Sequence, residues 1–136
     1  MRPFLNIDAG ELPDESAELY ALAHVVNVAC GGHAGDDASM RRVVAFCNQS
    51  GTAVGAHPSY PDREGFGRRA MAMTPDALAA SVEAQCAALR RATSDVRYVK
   101  LHGALYHAAN AEPVVARAAL VAATRALGAP TVLGPP

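Results

Sequence analysis

The chain has 136 residues, of which 51% are hydrophobic, and its 12 basic and 13 acidic side chains give a formal net charge of −1. This length suits one domain over residues 1–136, and the balanced charge gives no electrostatic basis for binding nucleic acid. Three widely spaced cysteines without a C-x-x-C pair argue against a disulfide framework or a zinc knuckle. The start lacks the apolar core of a signal peptide, and no uncharged apolar run approaches the roughly 20 residues of a membrane helix. We therefore expect a cytoplasmic protein with no membrane partner.

The first half of the chain alternates between short apolar segments and segments with helical spacing. Strands are predicted over residues 4–8, 25–30 and 52–56, and helices over residues 14–24 and 37–51. Asp14 is the predicted N-cap of the first helix, Asp36 or Asp37 caps the second, and Gly51 ends it.

The second half continues the alternation after a long polar loop over residues 58–73. The clearest helix is predicted over residues 74–91, because Thr74 can cap it and Pro75 suits its first position. A strand over 96–101, a helix over 112–128 that Gly128 closes, and a strand over 130–134 complete the predicted elements.

This β-α-β-α order is typical of α/β proteins with a parallel sheet and right-handed crossovers. Two architectures fit it, an open doubly wound sheet and part of a (β/α) barrel. In both, ligands bind at the carboxyl ends of the strands.

Ionisable residues follow four consecutive predicted strands at those carboxyl ends. Asp8 ends the first strand, His33 follows the second, His57 follows the third, and Lys100 and His102 follow the fourth. Each has an ordinary structural explanation: a turn carboxylate, a helix cap, a buried histidine bonded to a carbonyl, or a lysine that reaches solvent. For Asp36, the N-cap interpretation is the favoured one. The coincidence of four such groups on one face favours a functional site.

Two kinds of chemistry fit these residue types. Asp8, His33 and His57 are candidate ligands of a divalent metal ion, and the same groups without metal can act as general acid and base. Lys100 can neutralise an oxyanion or a phosphate. Arg68 and Arg69 can clamp a carboxylate, although a solvated loop is the favoured interpretation of both. No H-E-x-x-H, Walker A or G-x-G-x-x-G motif is present.

Four stretches of the chain resemble the LamB/YcsF family, the A subunits of 5-oxoprolinase. They are "LNIDAGE" (5–11), "NVACGGHAGD" (27–36), "GAHPSYPDREGFGRR" (55–69) and "VKLHGALY" (99–106), and they occur in the family's order. The third stretch is long and specific to the family.

The resemblance implies a (β/α) barrel-like fold of the glycoside hydrolase/deacetylase type. It also implies ATP-dependent opening of the 5-oxoproline lactam to glutamate together with the B and C subunits of 5-oxoprolinase, with ATP bound by this chain or by those partners. The catalytic residues that it implies are Asp8, His33, His57, Lys100 and His102. The supporting substrate-binding residues that it implies are Asn6, Glu11, Asn27, Tyr60, Arg68 and Arg69.

The chain departs from the family pattern in sequence and in length. Leu101 stands where proline is common, Gly32 replaces a common aromatic residue, and the segment between Glu11 and Asn27 is short. Family members run to nearly twice this length, so we expect an incomplete barrel of about five βα units. Its missing wall would lie in an absent part of the chain or come from another chain, as in a homo-oligomer. A metal-dependent hydrolase of the deacetylase kind and a non-catalytic remnant are the alternative functions.

Overall fold

A computed structural model describes residues 3–135 as five strands and five helices. In chain order they are β1 (Asn6–Ala9), α1 (Glu18–Leu22), β2 (Val25–Ala29), α2 (Asp37–Ser50), β3 (Ala53–His57), α3 (Pro75–Ala92), β4 (Val96–Val99), α4 (Gly103–Ala111), α5 (Pro113–Leu127) and β5 (Thr131–Val132).

The five strands form one parallel sheet in which each strand pairs with the next one in sequence, in the order β1-β2-β3-β4-β5. A doubly wound sheet reverses its strand order at a switch point, and this sheet has no such reversal. Successive right-handed crossovers in one direction place the connecting helices on one face of the sheet, as in a (β/α) barrel. The strand order therefore selects the barrel-like arrangement over the doubly wound one.

Local capping chemistry fixes the ends of α2 and α3 as the sequence predicts. The Asp36 side chain accepts a hydrogen bond from the Ser39 amide in a capping box, and Gly51 ends α2 with φ at +75°. The Thr74 side chain accepts a hydrogen bond from the Ala77 amide at the start of α3. Each cap supplies a partner for backbone groups that a helix end leaves unpaired.

One helix prediction is wrong, and one helix was not predicted. The first helix begins at Glu18 rather than at residue 14, and its N-cap is Ala17, not Asp14. The segment before it stays out of the helix because the Glu15 side chain turns back to the amides of residues 10–12. The second miss is α4, which follows β4 directly with His102 as its N-cap and with no side-chain cap to mark it in the sequence.

The hydrophobic core lies between the sheet and its layer of helices. Val28 of β2, Val43 of α2 and Leu89 of α3 are fully buried there, and α3 packs along α5. The opposite face of β2 carries Asn27, which is equally buried. No helix within residues 3–135 combines the length and apolarity needed to cross a membrane.

The loop after β3 is fixed to α3 by Gln85. Its Oε1 accepts a hydrogen bond from the Ser59 amide at 3.0 Å, and its Nε2 donates to the Ser59 carbonyl at 2.8 Å. Both residues are buried, so Gln85 pairs two backbone groups that water does not reach.

We expect Gln85→Ala to lower the free energy of unfolding by about 1–3 kcal/mol, because it leaves the buried Ser59 amide and carbonyl without partners. Urea denaturation followed by circular dichroism measures the change. Gln49→Ala, on the exposed face of α2, is the control and should change stability by less than about 0.5 kcal/mol. An equal effect of both substitutions would contradict the role given to Gln85.

The loop after β1 is held by Glu15. Its carboxylate accepts hydrogen bonds from the amides of Gly10, Glu11 and Leu12 and from the Tyr20 hydroxyl, at 2.7 to 2.9 Å. Partial burial acts to raise the pKa of Glu15, but these four donors outweigh it, so the pKa lies below its usual value of 4.5.

The stabilisation from Glu15 should therefore depend on pH. A lowered folded-state pKa contributes stability that is fully present above the unfolded value near 4.5 and is lost as the pH falls through the lower folded value. We expect Glu15→Gln to be less stable than wild type at pH 7, with a difference that shrinks below pH 4.5. Denaturant titrations at several pH values test this, with the exposed Asp14→Asn as control. A pH-independent difference would refute it.

Candidate functional site

The site lies at the carboxyl ends of β1 to β4, where backbone pairing continues beyond the last strand residues. The Lys100 amide donates to the Ala56 carbonyl, and the His102 amide donates to the Pro58 carbonyl, both at 2.9 Å. These bonds hold Lys100 and His102 beside His57 although β4 itself ends at Val99.

Three histidines and one glutamate form a compact cluster at this end of the sheet. His33, His57 and His102 are buried, with exposed fractions of 2%, 1% and 8%. The Oε1 atom of Glu11 lies 2.8 Å from Nε2 of His33 and 3.6 Å from both Nε2 of His57 and Nδ1 of His102. Four consecutive strand-end segments thus contribute one side chain each, and we call these four residues the His/Glu cluster.

Backbone carbonyls fix the tautomers of two of these histidines. His57 Nδ1 lies 2.7 Å from the Lys100 carbonyl oxygen, and His102 Nε2 lies 2.8 Å from the Phe66 carbonyl oxygen. A carbonyl oxygen only accepts, so both of these ring nitrogens carry the hydrogen. The other two nitrogens, His57 Nε2 and His102 Nδ1, lie 3.0 Å apart and are unprotonated in the neutral rings.

Burial keeps these two rings neutral near pH 7. Removal from water lowers the pKa of His57 to about 4, and the nearby Asp8 carboxylate only partly offsets this. Burial and the neighbouring His33 also lower the pKa of His102.

Asp8 lies next to the cluster in a separate polar network. Both of its oxygens accept hydrogen bonds from Lys100 Nζ at 3.0 Å, and its Oδ2 lies 3.4 Å from His57 Nε2. Burial acts to raise the pKa of Asp8, but His57, Lys100 and Asn27 outweigh it and lower the pKa below its usual value. Asn27 Nδ2 donates to Asp8 Oδ1 at 3.0 Å and to Asn6 Oδ1 at 2.9 Å, so it fixes the carboxylate on the sheet.

The long loop over residues 58–73 covers the histidine rings at close range. Gly67 has φ at +65°, and a Cβ there would lie 2.9 Å from both His102 Cδ2 and His33 Cβ. The Gly67 carbonyl also accepts a hydrogen bond from the Ala104 amide at 2.9 Å. Only glycine combines this backbone conformation with this approach to the rings.

A pocket of 420 Å³ opens beside the cluster. It is lined by Asp8, His57, Arg68, Lys100, Leu101, His102, Gly103, Tyr106 and His107. The Arg68 guanidinium stacks on the Phe66 ring at 5.0 Å, which places a cation at the pocket wall. The pocket thus combines a carboxylate, two cations and two buried imidazoles.

Some residues that the sequence predicts for the site lie elsewhere. Tyr60 is buried in the hydrophobic core. Arg69 pairs with Asp62, with its Nε 3.1 Å from Asp62 Oδ2, and is not part of the pocket lining. Asn6 and Asn27 do not line the 420 Å³ pocket, but Asn27 is hydrogen-bonded to Asp8, which does.

The residues that could hold a metal ion also differ from the predicted set. The group consists of Glu11, His33, His57 and His102, whose ligand atoms all lie within 4.8 Å of one another. Asp8 is not a member of this group, although the sequence names it with His33 and His57. Glu11 and His102 are members instead, because Glu11 Oε1 lies 2.8 Å from His33 Nε2 and His102 Nδ1 lies 3.0 Å from His57 Nε2.

Sequence reasoning missed two contributors that position the site, Glu15 and the Phe66 carbonyl. The Gly-Phe-Gly run at 65–67 is a sequence signal of a tight loop there, but it does not say which ring the loop contacts. Chemically, the arrangement offers unprotonated nitrogens, an ionised carboxylate and cations at one pocket.

Comparisons with known proteins agree with this architecture. The model of the LamB/YcsF family matches residues 5–134. The crystal structure of lactam utilization protein from Thermus thermophilus is 35% identical with a TM-score of 0.93, over 100% of this chain and 59% of that one. This likeness confirms the predicted barrel-like fold.

Two curated relatives are named as the A subunit of 5-oxoprolinase. The one from Chloroflexus aggregans is 47% identical over 124 residues, covering 84% of this chain and 49% of the relative. The one from Chloroflexus aurantiacus is 49% identical over 124 residues with the same coverage. The chain spans about half the length of the curated relatives it matches. The family match covers nearly all of the described residues, and the chain belongs to the LamB/YcsF family.

Proposed function

We propose that this chain is the A subunit of a 5-oxoprolinase and acts with the B and C subunits in the ATP-dependent hydrolysis of 5-oxo-L-proline to L-glutamate. The observation that carries the proposal is the pocket in which Asp8, Lys100, His57 and His102 meet. The names of the two Chloroflexus relatives support the choice of substrate.

The reaction requires water to add to the carbonyl carbon of a lactam, after which the ring C–N bond breaks and the nitrogen takes up a proton. A lactam is a stable amide, so its carbon is a poor electrophile. Transfer of the γ-phosphoryl group from ATP to the lactam oxygen releases ADP and makes that carbon more reactive. After water has added and the C–N bond has broken, a second water hydrolyses the resulting acyl phosphate to glutamate and inorganic phosphate. A site for this reaction needs a proton acceptor, a cation near the oxygen, and a group that recognises the substrate carboxylate.

Arg68 is the group that we assign to the substrate carboxylate. It lies at the wall of a 420 Å³ pocket, which is large enough for a five-membered ring with one carboxylate. Its guanidinium offers a planar pair of donors, which suits bidentate binding of a carboxylate.

Asp8 and Lys100 are the groups that we assign to proton and charge transfer. Asp8 is ionised at neutral pH, so its carboxylate can take a proton from the attacking water. Lys100 Nζ, 3.0 Å from Asp8, can neutralise the negative charge of the phosphoryl group on the lactam oxygen. His57 Nε2 and His102 Nδ1 are unprotonated acceptors that can hold the water beside Asp8.

The nucleotide would bind either on this chain or on its partner subunits. If ATP reached this pocket, Lys100 is the lining residue that would contact its phosphate oxygens, since Arg68 is assigned to the substrate carboxylate. The sequence has no Walker A motif, so a nucleotide site on the B or C subunits is the other arrangement that the proposal allows.

We expect His57→Ala and His102→Ala each to reduce glutamate release by roughly 100-fold or more, since both remove an acceptor at the pocket floor. The assay measures 5-oxoproline- and ATP-dependent glutamate release by the complex reconstituted with the B and C subunits. His24→Ala, at a histidine that contacts Phe4 and the Leu5 amide away from the pocket, is the matched control. Unchanged glutamate release in both pocket variants would rule out these roles.

We expect Arg68→Ala to raise the KM for 5-oxoproline roughly 10-fold or more, with a smaller effect on kcat, because it removes a charge-assisted hydrogen bond to the substrate. Steady-state kinetics of the reconstituted complex measures both constants. Arg41→Ala, on the exposed surface of α2, is the control and should leave KM unchanged. A lower kcat at unchanged KM would show that Arg68 has a different role.

A further inference from the structure

We infer that Glu11, His57 and His102 form a binding site for one divalent transition-metal ion of the zinc class, with His33 as the residue that positions Glu11. The inference goes beyond the proposed function: the nitrogens of His57 and His102 that hold the water directly there would bind the ion here, and the water would bind to the ion. It rests on the geometry of the His/Glu cluster.

The first argument is the pair of unprotonated nitrogens. His57 Nε2 and His102 Nδ1 lie 3.0 Å apart, yet each ring already donates its hydrogen to a backbone carbonyl. Two lone pairs at this separation repel each other unless a cation lies between them. A metal ion between the two nitrogens would use both lone pairs.

The second argument is the carbonyl anchoring itself. Metal-bound histidines in proteins usually donate their other ring N–H to a carboxylate or a backbone carbonyl, which fixes the ring orientation. Both His57 and His102 do so here, through the carbonyls of Lys100 and Phe66.

The third argument is the spacing of the three ligand atoms. Glu11 Oε1, His57 Nε2 and His102 Nδ1 form a triangle with sides of 3.0, 3.6 and 3.6 Å. One point lies about 2.0 Å from all three corners, and Zn–N and Zn–O bonds are about 2.0–2.2 Å long. The spacing of the three atoms therefore suits the binding of one ion.

His33 belongs to the cluster in a different role. Its ring stacks on that of His102 with centroids 3.6 Å apart and planes 3° apart, so the lone pairs of the two parallel rings do not converge on one ion. Its Nε2 lies 2.8 Å from Glu11 Oε1, and within residues 3–135 its buried Nδ1 has no hydrogen-bond partner. If Nε2 carries the hydrogen and donates it to Glu11, Nδ1 is an acceptor without a partner. The other tautomer would instead leave a buried Nδ1–H group without a partner.

The ligand set indicates which metals would bind. Two imidazoles and one carboxylate suit Zn²⁺ and Co²⁺, while Mg²⁺ and Ca²⁺ prefer oxygen ligands. Three protein ligands leave a fourth position open, as in catalytic zinc sites. Lys100 holds the Asp8 carboxylate so that its Oδ2 lies 3.4 Å from His57 Nε2. Water at the fourth position would therefore lie near a carboxylate.

The test is metal uptake by the purified full chain after removal of metal with a chelator. We expect one Co²⁺ per chain, with a visible absorption spectrum of tetrahedral cobalt, displacement by Zn²⁺ but not by Mg²⁺, and a higher Tm in the presence of Zn²⁺. His57→Ala and His102→Ala should each weaken binding more than roughly 100-fold, and His33→Ala roughly 10- to 100-fold. His24→Ala, at a histidine that contacts Phe4 and the Leu5 amide away from the pocket, is the control and should bind normally.

Two outcomes would overturn the inference: no stoichiometric uptake by the folded wild type, or uptake that His57→Ala and His102→Ala leave unchanged. Circular dichroism identifies variants that fail to fold, and His102→Asn provides a smaller change at the same position. Glutamate release is measured separately on the reconstituted complex. Metal binding without glutamate release contradicts only the proposed function, and glutamate release by a chain that takes up no metal contradicts only the metal site.

Discussion

Two hydrogen bonds, from His57 Nδ1 to the Lys100 carbonyl and from His102 Nε2 to the Phe66 carbonyl, determine the character of the site. They orient both rings, fix which nitrogens carry hydrogen, and turn the unprotonated nitrogens toward Glu11. The carbonyls can do this because the chain after β4 keeps its pairing with β3 and because Gly67 lets the loop approach the rings. A change in either backbone segment would alter the chemistry without touching a catalytic side chain.

Function and stability compete at this end of the sheet. Within the described residues, the buried side-chain atoms without a hydrogen-bond partner are Asn27 Oδ1 and His33 Nδ1, and both lie here. Buried polar atoms in this state cost free energy, and proteins retain them mainly at functional sites. The well-packed core on the other face of the sheet, with Val28 and Leu89 fully buried, compensates for that cost.

Features that depend on local chemistry could be predicted from the sequence. Asp36, Thr74 and Gly51 act within one turn of their own positions, and the strand ends follow from alternation along the chain. The sequence also predicted that polar groups share one edge of the sheet, because the carboxyl ends of parallel strands lie at the same edge. It could not distinguish Arg68 from its neighbour Arg69, because one stacks on Phe66 and the other pairs with Asp62 through loop geometry that no periodicity reveals. The late start of α1 was unpredictable for the same reason, because the Glu15 side chain accepts hydrogen bonds from amides of the preceding loop instead of continuing a helix.

The strand order has a consequence for how the protein folds. The His/Glu cluster takes one residue from each of four successive βα units, from Glu11 to His102, so it joins positions about 90 residues apart in the chain. Each strand pairs with the next, so the sheet can grow unit by unit before the first and fourth units meet across the cluster. Because closing a long loop costs entropy, we expect these contacts to form late and substitutions that weaken them to accelerate unfolding more than they slow folding. The site would then form only after four units have paired in register.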